Sequence, residues 1–320
     1  MDLITGGTGF IGSCLAKTLL EQGRDVATLD IKATSPMLQP FAGKWRHFQG
    51  NLGNLGEVLT AVSEAKPEAI YHLGGMLSMP SEQNPQASFQ TNMVGTYNLL
   101  EAARLFGVRQ VIYSSTNGTF GLDLQGLDVI DDNTLQRPFT IYGVGKLFGE
   151  LIGRYYTRRY GLDFRSIRLP AVVGPGAKTK NVSIYNAWSI EKSFFGEPYE
   201  IFVEPEIACP VIYFKDVARA FLSLAEAPKE KVKTMNYLIV GVTPMPKAKD
   251  LVEVIESRLP QAKLSYNSEK LAMDFHKMSQ GVCWDEKPAV NEWGWRPRYG
   301  LEEMVDDFIM ELTEHPGWYA

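Results

Sequence analysis

The stretch DLITGGTGFIGSCLAKTLLEQG (2–23) decides the fold of this chain. Its first residues, 2–5, predict a short buried strand, and residues 6–12 predict a tight turn. Residues 13–22 place leucine and alanine on one face at helical spacing, and Gly23 follows as a helix stop. A strand, a glycine-rich turn and a helix in this order are typical of the first unit of an α/β nucleotide-binding fold.

The turn carries glycine at every third position. Glycine adopts the backbone angles of such a turn cheaply, and its missing side chain lets a diphosphate approach the backbone. The helix that follows offers unpaired N–H groups and the positive end of its dipole. A turn that binds nothing is the alternative, but the flanking strand and helix favour a ligand. The predicted diphosphate-binding residues are Gly6, Gly9, Phe10, Ile11 and Gly12.

A carboxylate ends the second predicted strand, DVATLD (25–30). Asp30 is placed to accept hydrogen bonds from the adenosine ribose hydroxyls and to repel a 2′-phosphate. This favours NAD over NADP, although Lys32 lies close enough to soften the preference. Asn51, in GNL (50–52), is expected to reach the adenine edge. Further cofactor contacts are predicted at Leu52, Leu73, Gly74, Gly75 and Pro170.

The rest of the first half alternates strands with helices. The apolar runs AIYHLGG (69–75) and QVIYSST (110–116) predict two more strands, and residues 87–107 predict a long helix between them. This alternation predicts a parallel sheet with helices on both faces. His72 lies inside one of these strands, so we expect it to be structural rather than a catalytic base.

The pattern loosens in the second half, but no repeat or low-complexity linker separates two domains. We expect a nucleotide-binding core at 1–165, which also recruits 208–240 for its last strand. The segments 166–207 and 241–320 are expected to form a smaller substrate-binding lobe. The predicted boundary is therefore discontinuous in sequence.

Composition argues against several classes of function. The 320 residues are 45% hydrophobic with a formal net charge of -5, which is typical of a globular protein and unfavourable for nucleic-acid binding. No apolar run is long enough to span a membrane, and Met1 leads directly into the first strand, so we expect neither a membrane partner nor a secretory signal. The three cysteines lack the spacing of a metal site or a disulfide framework. We expect a cytoplasmic protein that binds no metal.

The pentapeptide YGVGK (142–146) places a phenol and an ammonium group four residues apart. On a helix, Tyr142 and Lys146 share one face and reach the same point. A nearby cation stabilises a phenolate and lowers its pKa, so the pair is suited to proton transfer. Taken alone the spacing is a weak signal, because such pairs also occur on solvent-facing helix surfaces.

Five motifs together resemble the extended short-chain dehydrogenase/reductases. They are TGGTGFIG (5–12), HLGG (72–75), NMVGTYNLLEAA (92–103), YSSTNGTFG (113–121) and YGVGK (142–146), in the order of that family. Asn51 stands where an aspartate is more usual, and Gly145 where a serine is more usual. The resemblance implies a Rossmann doubly wound parallel sheet with a smaller C-terminal α/β substrate lobe, and NAD as the cofactor.

The same resemblance implies roles for four residues in the transfer of a hydride between a secondary alcohol or ketone and NAD. Tyr142 would be the general acid/base. Lys146 would lower the pKa of Tyr142 and hold the nicotinamide ribose. Thr116 would hydrogen-bond the reacting oxygen, and Asn92 would support the site from the long helix.

The stretches MLS (76–78), LDFRSIRLP (162–170), CPVIYFKDVARA (209–220) and NEWGWRPRYGLEEMVDD (291–307) resemble the short-chain type of L-threonine 3-dehydrogenase. In that subfamily the serine matching Ser78 helps hold the substrate carboxylate. The Gly- and Thr-rich stretch of that subfamily is replaced here by TKNVSIYNA (179–187), which argues against threonine itself. We expect a small polar hydroxy or amino-hydroxy acid, or a bulkier ligand if Tyr185 and Trp188 face it rather than pack in the lobe. The predicted substrate residues are Ser78, Thr116, Tyr142, Ser183, Tyr185 and Trp188.

Two other functions stay open. A sugar-nucleotide epimerase would retain NAD and need a cation for the substrate diphosphate. The candidate cations are Arg168, Lys178, Lys180, Arg296 and Arg298, of which Arg168 is expected to pair within the fold. Asn117 stands where a dehydratase often has an acid, which disfavours dehydration. A non-catalytic NAD sensor is disfavoured by the intact set of threonine, tyrosine and lysine.

The family also implies a homodimer. It would form through the helix at 87–107 and the helix that follows Tyr142. The residues Phe148, Leu151, Ile152 and Tyr155 are either this face or core.

Overall fold

The computed structural model describes residues 1–121, 124 and 126–319. The strands are β1 Asp2–Thr5, β2 Val26–Asp30, β3 Trp45–Gln49, β4 Ala69–His72, β5 Gln110–Thr116, β6 Val129–Ile130, β7 Asp163–Leu169, β8 Ala171–Val173, β9 Pro198–Ile201, β10 Val211–Tyr213, β11 Asn236–Leu238, β12 Lys263–Tyr266 and β13 Cys283–Trp284. The α-helices are α1 Phe10–Glu21, α2 Leu55–Ala65, α3 Ser78–Gln83, α4 Pro85–Ser88, α5 Gly95–Leu105, α6 Ile141–Tyr160, α7 Tyr185–Phe194, α8 Phe214–Glu226, α9 Ala248–Arg258, α10 Lys270–Lys277, α11 Lys287–Trp293 and α12 Leu301–Glu314.

Within the described residues, seven strands form one sheet in the order β11-β7-β5-β4-β1-β2-β3, and every neighbouring pair is parallel. On one side of β1 lie β2 and then β3, and on its other side lie β4, β5, β7 and β11 in that order. The strand order reverses between β1 and β4, and ligands of such sheets bind beyond the carboxyl ends of the strands at this point. The predicted doubly wound α/β fold is confirmed.

Apolar side chains cover both faces of the sheet, because successive residues of a strand point to opposite sides. Leu3 and Val111 belong to the buried cluster that includes α2, α5 and part of α6. Ile4 and Ile112 belong to the other cluster, which includes α1 and α8. No helix in the described part of the chain is long and apolar enough to cross a membrane.

Two helices near the site begin or continue differently from the sequence prediction. The first helix begins at Phe10 rather than at residue 13, because Gly9 already caps it in an extended conformation. The predicted helix 87–107 is interrupted, since Phe89–Val94 forms a π-helix between α4 and α5. Such π segments occur often at functional sites.

The later part of the chain adds strands to the first. β11 pairs with the far edge of β7, so the stretch 208–240 contributes the last strand of the sheet. Three short parallel pairs, β8 with β10, β9 with β12 and β6 with β13, lie outside the central sheet. The division into a core and a lobe stays a prediction.

We expect Gly153→Ala to lower the free energy of unfolding by about 1–3 kcal/mol, because overpacking a buried contact costs about that much. A Cβ at Gly153 on α6 would overlap the ring of Phe164 on β7. Gly56→Ala is the matched control, since its Cβ on α2 would meet only the Asn54 side chain, at 3.4 Å. Denaturant unfolding measures both variants, and a Gly153→Ala protein as stable as the control would contradict this packing.

Candidate active site

The glycine turn after β1 is packed against the end of β4. Gly6 has a φ of +68°, and a Cβ there would lie 2.8 Å from the Cα of Gly74. A Cβ on Gly12 would overlap the carbonyl oxygen of Gly6. Backbone atoms thus fill the space that side chains would occupy at these glycines. The turn therefore lies close to the first N–H groups of α1. This cradle suits a diphosphate, which needs bare backbone and unpaired N–H donors.

Asp30 is fixed by backbone groups on both sides of its carboxylate. Its Oδ2 accepts a hydrogen bond from the Thr8 amide at 3.1 Å, and its Oδ1 accepts one from the Lys32 amide at 3.1 Å. A carboxylate oxygen has two acceptor positions, so each retains one for a ribose hydroxyl. Asn51 is exposed, and its Oδ1 accepts from the Gly53 amide at 2.9 Å.

The residues after β4 close the other side of the cradle. Gly74 donates its amide to Thr5 Oγ1 at 3.1 Å, and a Cβ at Gly74 would lie 2.7 Å from Leu52. Leu52 is held in turn by Asn98, whose Nδ2 donates to the Leu52 carbonyl at 2.9 Å. Leu73 is half-buried beside them. Sequence reasoning missed Asn98, although a buried amide on an apolar helix face is a signal for such a contact.

His72 is structural, as the sequence indicates. Its Nδ1 lies 2.7 Å from Thr5 Oγ1 and its Nε2 lies 3.0 Å from Thr96 Oγ1. Burial lowers the pKa of His72 to about 3, so the ring is neutral over the physiological range.

Tyr142 and Lys146 both lie on α6, which begins at Ile141 because Thr140 Oγ1 caps the Gly143 amide at 3.0 Å. Lys146 is buried, and its Nζ donates to the Ser114 carbonyl at 2.7 Å. The same Nζ lies 5.8 Å from the centre of the Tyr142 ring. Burial lowers the pKa of Lys146 to about 8, so the ammonium form predominates at neutral pH and is lost above that value.

The pKa of Tyr142 moves in the opposite direction to the sequence prediction. Burial raises it to about 12, and the hydrogen bond with the Thr116 hydroxyl opposes this shift. Thr116 ends β5, and its Oγ1 also accepts from the Gly118 amide at 3.1 Å. The structure thus brings Thr116, Tyr142 and Lys146 together, and burial stabilises the neutral form of the phenol.

Asn92 lies in the π-helix and holds the segment that follows β4. Its Oδ1 accepts from the Met76 amide at 2.7 Å, and its Nδ2 donates to the Met76 carbonyl at 2.9 Å. A Cβ at Gly75 would lie 3.0 Å from Asn92 Oδ1 and 3.6 Å from Lys146 Nζ. Asn92, Gly75 and Lys146 therefore meet at one point.

The predicted substrate residues of the second half make packing contacts. Tyr185 is fully buried, with its ring against Phe202 and His276. Trp188 donates Nε1 to the Ala177 carbonyl at 2.8 Å. These contacts match the alternative that both residues pack in the lobe. Ser78 and Ser183 are half-buried, and Pro170 is buried between β7 and β8; their roles stay predictions.

Arg168 is held inside the protein. Its side chain is 2% exposed, and its guanidinium donates to Glu150 Oε2 at 2.8 Å and lies 3.8 Å from Asp132 Oδ1. This geometry removes it from the candidate cations for a substrate diphosphate. Asn117, beside Thr116, has both polar side-chain atoms buried without a hydrogen-bond partner in the described structure, which leaves an amide able to donate and accept.

Comparison with known proteins assigns the chain to a family. The family model for the NAD dependent epimerase/dehydratase family matches residues 3–239. The chain belongs to this family. Mitochondrial L-threonine 3-dehydrogenase of Bos taurus is 30% identical over 313 residues, which are 96% of this chain and 81% of that protein. The resemblance inferred from the motifs is confirmed.

Solved structures of this fold extend the comparison. The holo form of an L-threonine dehydrogenase from Cupriavidus necator matches with a TM-score of 0.84 at 30% identity, over 96% of this chain and 98% of that one. UDP-glucose 4-epimerase of Thermus thermophilus in complex with NAD shares the fold, with a TM-score of 0.82 at 24% identity, over 98% and 99% of the chains.

This epimerase/dehydratase-family chain is an enzyme, and its cofactor is NAD, as the sequence predicts. The bare turn and the open acceptor positions of Asp30 fit that cofactor. Among residues 1–121, 124 and 126–319, no group of three or more His, Cys, Asp or Glu side chains is placed to hold a metal ion.

Gly12→Ala tests the cradle. The added methyl would overlap the Gly6 carbonyl and force the turn apart. We expect NAD affinity to fall about tenfold or more, equivalent to about 1.4 kcal/mol of binding free energy. Calorimetric titration with NAD measures this, with Gly317→Ala as control because its Cβ would meet nothing within 4 Å. Equal affinity in both variants would refute the assignment.

Proposed function

We propose that this enzyme is an NAD-dependent dehydrogenase that oxidises the secondary alcohol of a small polar hydroxy or amino-hydroxy acid. The observation that carries the proposal is the meeting of Thr116, Tyr142 and Lys146 at the carboxyl end of β5. A hydroxyl, a phenol and an ammonium group there supply a hydrogen bond to the reacting oxygen, a proton carrier and a positive charge.

Tyr142 acts as the general acid/base. In oxidation it takes the proton of the substrate hydroxyl, and in reduction it returns a proton to the carbonyl oxygen. Thr116 orients the reacting oxygen, and Lys146 supplies positive charge that favours the phenolate. Because burial raises the Tyr142 pKa to about 12, the protonated form predominates at neutral pH. Oxidation therefore gains from rising pH until Lys146 loses its charge.

The cofactor half of the proposal uses the cradle and the loops around it. Gly6, Gly9 and Gly12, with the N–H groups of Phe10 and Ile11, hold the diphosphate. Asp30 holds the adenosine ribose, Asn51 and Leu52 border the adenine, and Leu73, Gly74, Gly75 and Pro170 line the path to the nicotinamide. NAD, when bound, accepts or returns the hydride. Asn92 acts indirectly, since it fixes the backbone beside Gly75.

The substrate class rests on three observations. The relatives at 30% identity are named as L-threonine dehydrogenases. Arg168 is engaged with Glu150, which leaves one cation fewer for a sugar diphosphate. Ser78, at the first residue of α3, offers a hydroxyl to a small acid. We assign the core to 1–165 with 208–240, and the substrate lobe to 166–207 with 241–320.

A substrate panel and Tyr142→Phe test the function together. The purified enzyme is mixed with NAD and with L-threonine, other 3-hydroxy acids, aryl secondary alcohols, aldoses, uronates or nucleotide sugars, and NADH absorbance is followed. We expect net NADH with one hydroxy-acid class. Because general acid/base catalysis supplies about 100- to 10,000-fold in rate, Tyr142→Phe should lose about that much turnover while its NAD affinity is retained.

Two outcomes would overturn this proposal. Full turnover in Tyr142→Phe would remove the acid/base role. A nucleotide sugar that is converted without net NADH, as chromatography would detect, would identify an epimerase instead.

We also propose a homodimer. Exposed apolar side chains gather on the adjacent helices α5 and α6, including Tyr97 at 45%, Leu151 at 58% and Tyr155 at 41% exposure. Of the other residues expected at this face, Ile152 packs partly against the core and Phe148 is half-buried. In a single chain these apolar side chains face water, and a second copy of the chain would cover them.

Leu151→Glu should convert the dimer to a monomer, because it places a charge in an apolar interface. Light scattering after size exclusion gives the mass of each species. Leu271→Glu is the matched control, since Leu271 is 63% exposed on α10 and should leave the dimer intact. A wild-type protein with the mass of one chain would contradict the proposal.

A further inference from the structure

Three consecutive residues of β5 contact one face of α6. The three contacts are Lys146 Nζ to the Ser114 carbonyl at 2.7 Å, Ser115 Oγ to Glu150 Oε1 at 2.5 Å, and the Thr116 hydroxyl to Tyr142. On α6 the partners are spaced four residues apart, so they share one face of the helix. Two of these contacts involve the proposed acid/base pair, and the third, from Ser115 to Glu150, has no chemical role in the proposal.

The Ser115–Glu150 contact lies away from solvent. Ser115 is 2% exposed and Glu150 is 1% exposed. A hydroxyl that donates to a carboxylate makes a strong, charge-assisted hydrogen bond. This bond is therefore a rigid link between the strand that ends at Thr116 and the helix that carries Tyr142.

Glu150 is itself held by Arg168 from β7. The guanidinium donates to Glu150 through Nε at 3.0 Å and through Nη2 at 2.8 Å. It also donates to the Asp132 carbonyl at 3.0 Å and to Gln136 Oε1 at 3.1 Å. Asp132 Oδ1 accepts from the Leu238 amide of β11 at 2.5 Å. The buried network thus ties α6 to β5, β7 and β11.

We propose that Ser115 and Glu150 are positioning residues, whose hydrogen bond holds α6 against β5 and so keeps the acid/base pair in place, with Arg168 holding Glu150 in turn. This inference rests on the proposed function for its catalytic consequence, but its structural part does not. If the Ser115–Glu150 bond is lost, α6 is less firmly held and water gains access to Lys146. The ammonium group is then better solvated, and its pKa rises from about 8 toward the ordinary value.

Ser115→Ala removes the bond and leaves the Glu150–Arg168 pair intact, so no buried charge loses its partner. Ser166→Ala is the matched control. Ser166 is also a buried serine, and its hydroxyl donates to Asn236 Oδ1 at 2.8 Å between β7 and β11, a bond that involves no residue of α6. NMR titration of ¹³C-labelled lysine, with the signal assigned by Lys146→Met, follows the ammonium group in each protein without any substrate.

We expect the Lys146 pKa to rise by about 0.5 or more in Ser115→Ala and to stay unchanged in Ser166→Ala, because only the first variant changes its solvation. Ser115→Thr, which retains the hydroxyl, should restore the wild-type titration. With a substrate from the panel, turnover in Ser115→Ala should fall about 10- to 100-fold, a typical cost of misplaced catalytic groups.

The outcomes separate this inference from the proposed function. Equal Lys146 titrations in Ser115→Ala and Ser166→Ala would overturn the positioning role, whatever Tyr142→Phe does. Full turnover in Tyr142→Phe, with a shifted Lys146 titration in Ser115→Ala, would overturn the acid/base role and retain the structural link. If Ser115→Ala does not fold, Ser115→Cys replaces it, since a thiol of similar shape is a weak donor and should shift the titration in the same direction.

Discussion

The contact of bare backbone between the ends of β1 and β4 is the constraint on which the rest of the site depends. A Cβ on Gly6 would lie 2.8 Å from Gly74, a Cβ on Gly74 would lie 2.7 Å from Leu52, and Gly12 lies against the Gly6 carbonyl. The same turn leads into α1 at Phe10, where the first N–H groups of the helix are free to bind a ligand. It also brings the Thr8 amide within reach of Asp30, so the two ends of a dinucleotide site are set by one turn.

Burial favours the neutral form of both Tyr142 and Lys146, although it shifts their two pKa values in opposite directions. It raises the pKa of Tyr142 and lowers that of Lys146, because a poorly solvated site favours the neutral form of each. The polar contacts with Thr116 and the Ser114 carbonyl work against this effect. The balance between burial and these contacts sets how readily the pair exchanges a proton.

Sequence reasoning recovers what depends on local pattern. The apolar run at 110–116 gives β5 with the same bounds, and glycine spacing locates the cofactor turn. It fails where backbone conformation, rather than the pattern of residue types, decides. The start of α1 at Phe10 follows from how Gly9 caps the helix, and the π-helix around Asn92 has no signature in hydrophobic periodicity.

The same limit applies to charges. The sign of the Tyr142 shift depends on enclosure by segments distant in sequence, which spacing does not report. The internal pairing of Arg168 follows from an arginine in a strand, but its partner Glu150 becomes visible only when β7 and α6 are packed together.

The hydrogen bonds between the Asn92 side chain and the Met76 backbone have a consequence for how such enzymes diversify. Because the amide binds only backbone atoms of the segment that leads into α3, the side chains of Met76, Leu77 and Ser78 are exchangeable without moving the chain path. If Ser78 binds the substrate as we propose, mutation at these three positions would retune substrate choice while the backbone contacts of Asn92 are retained.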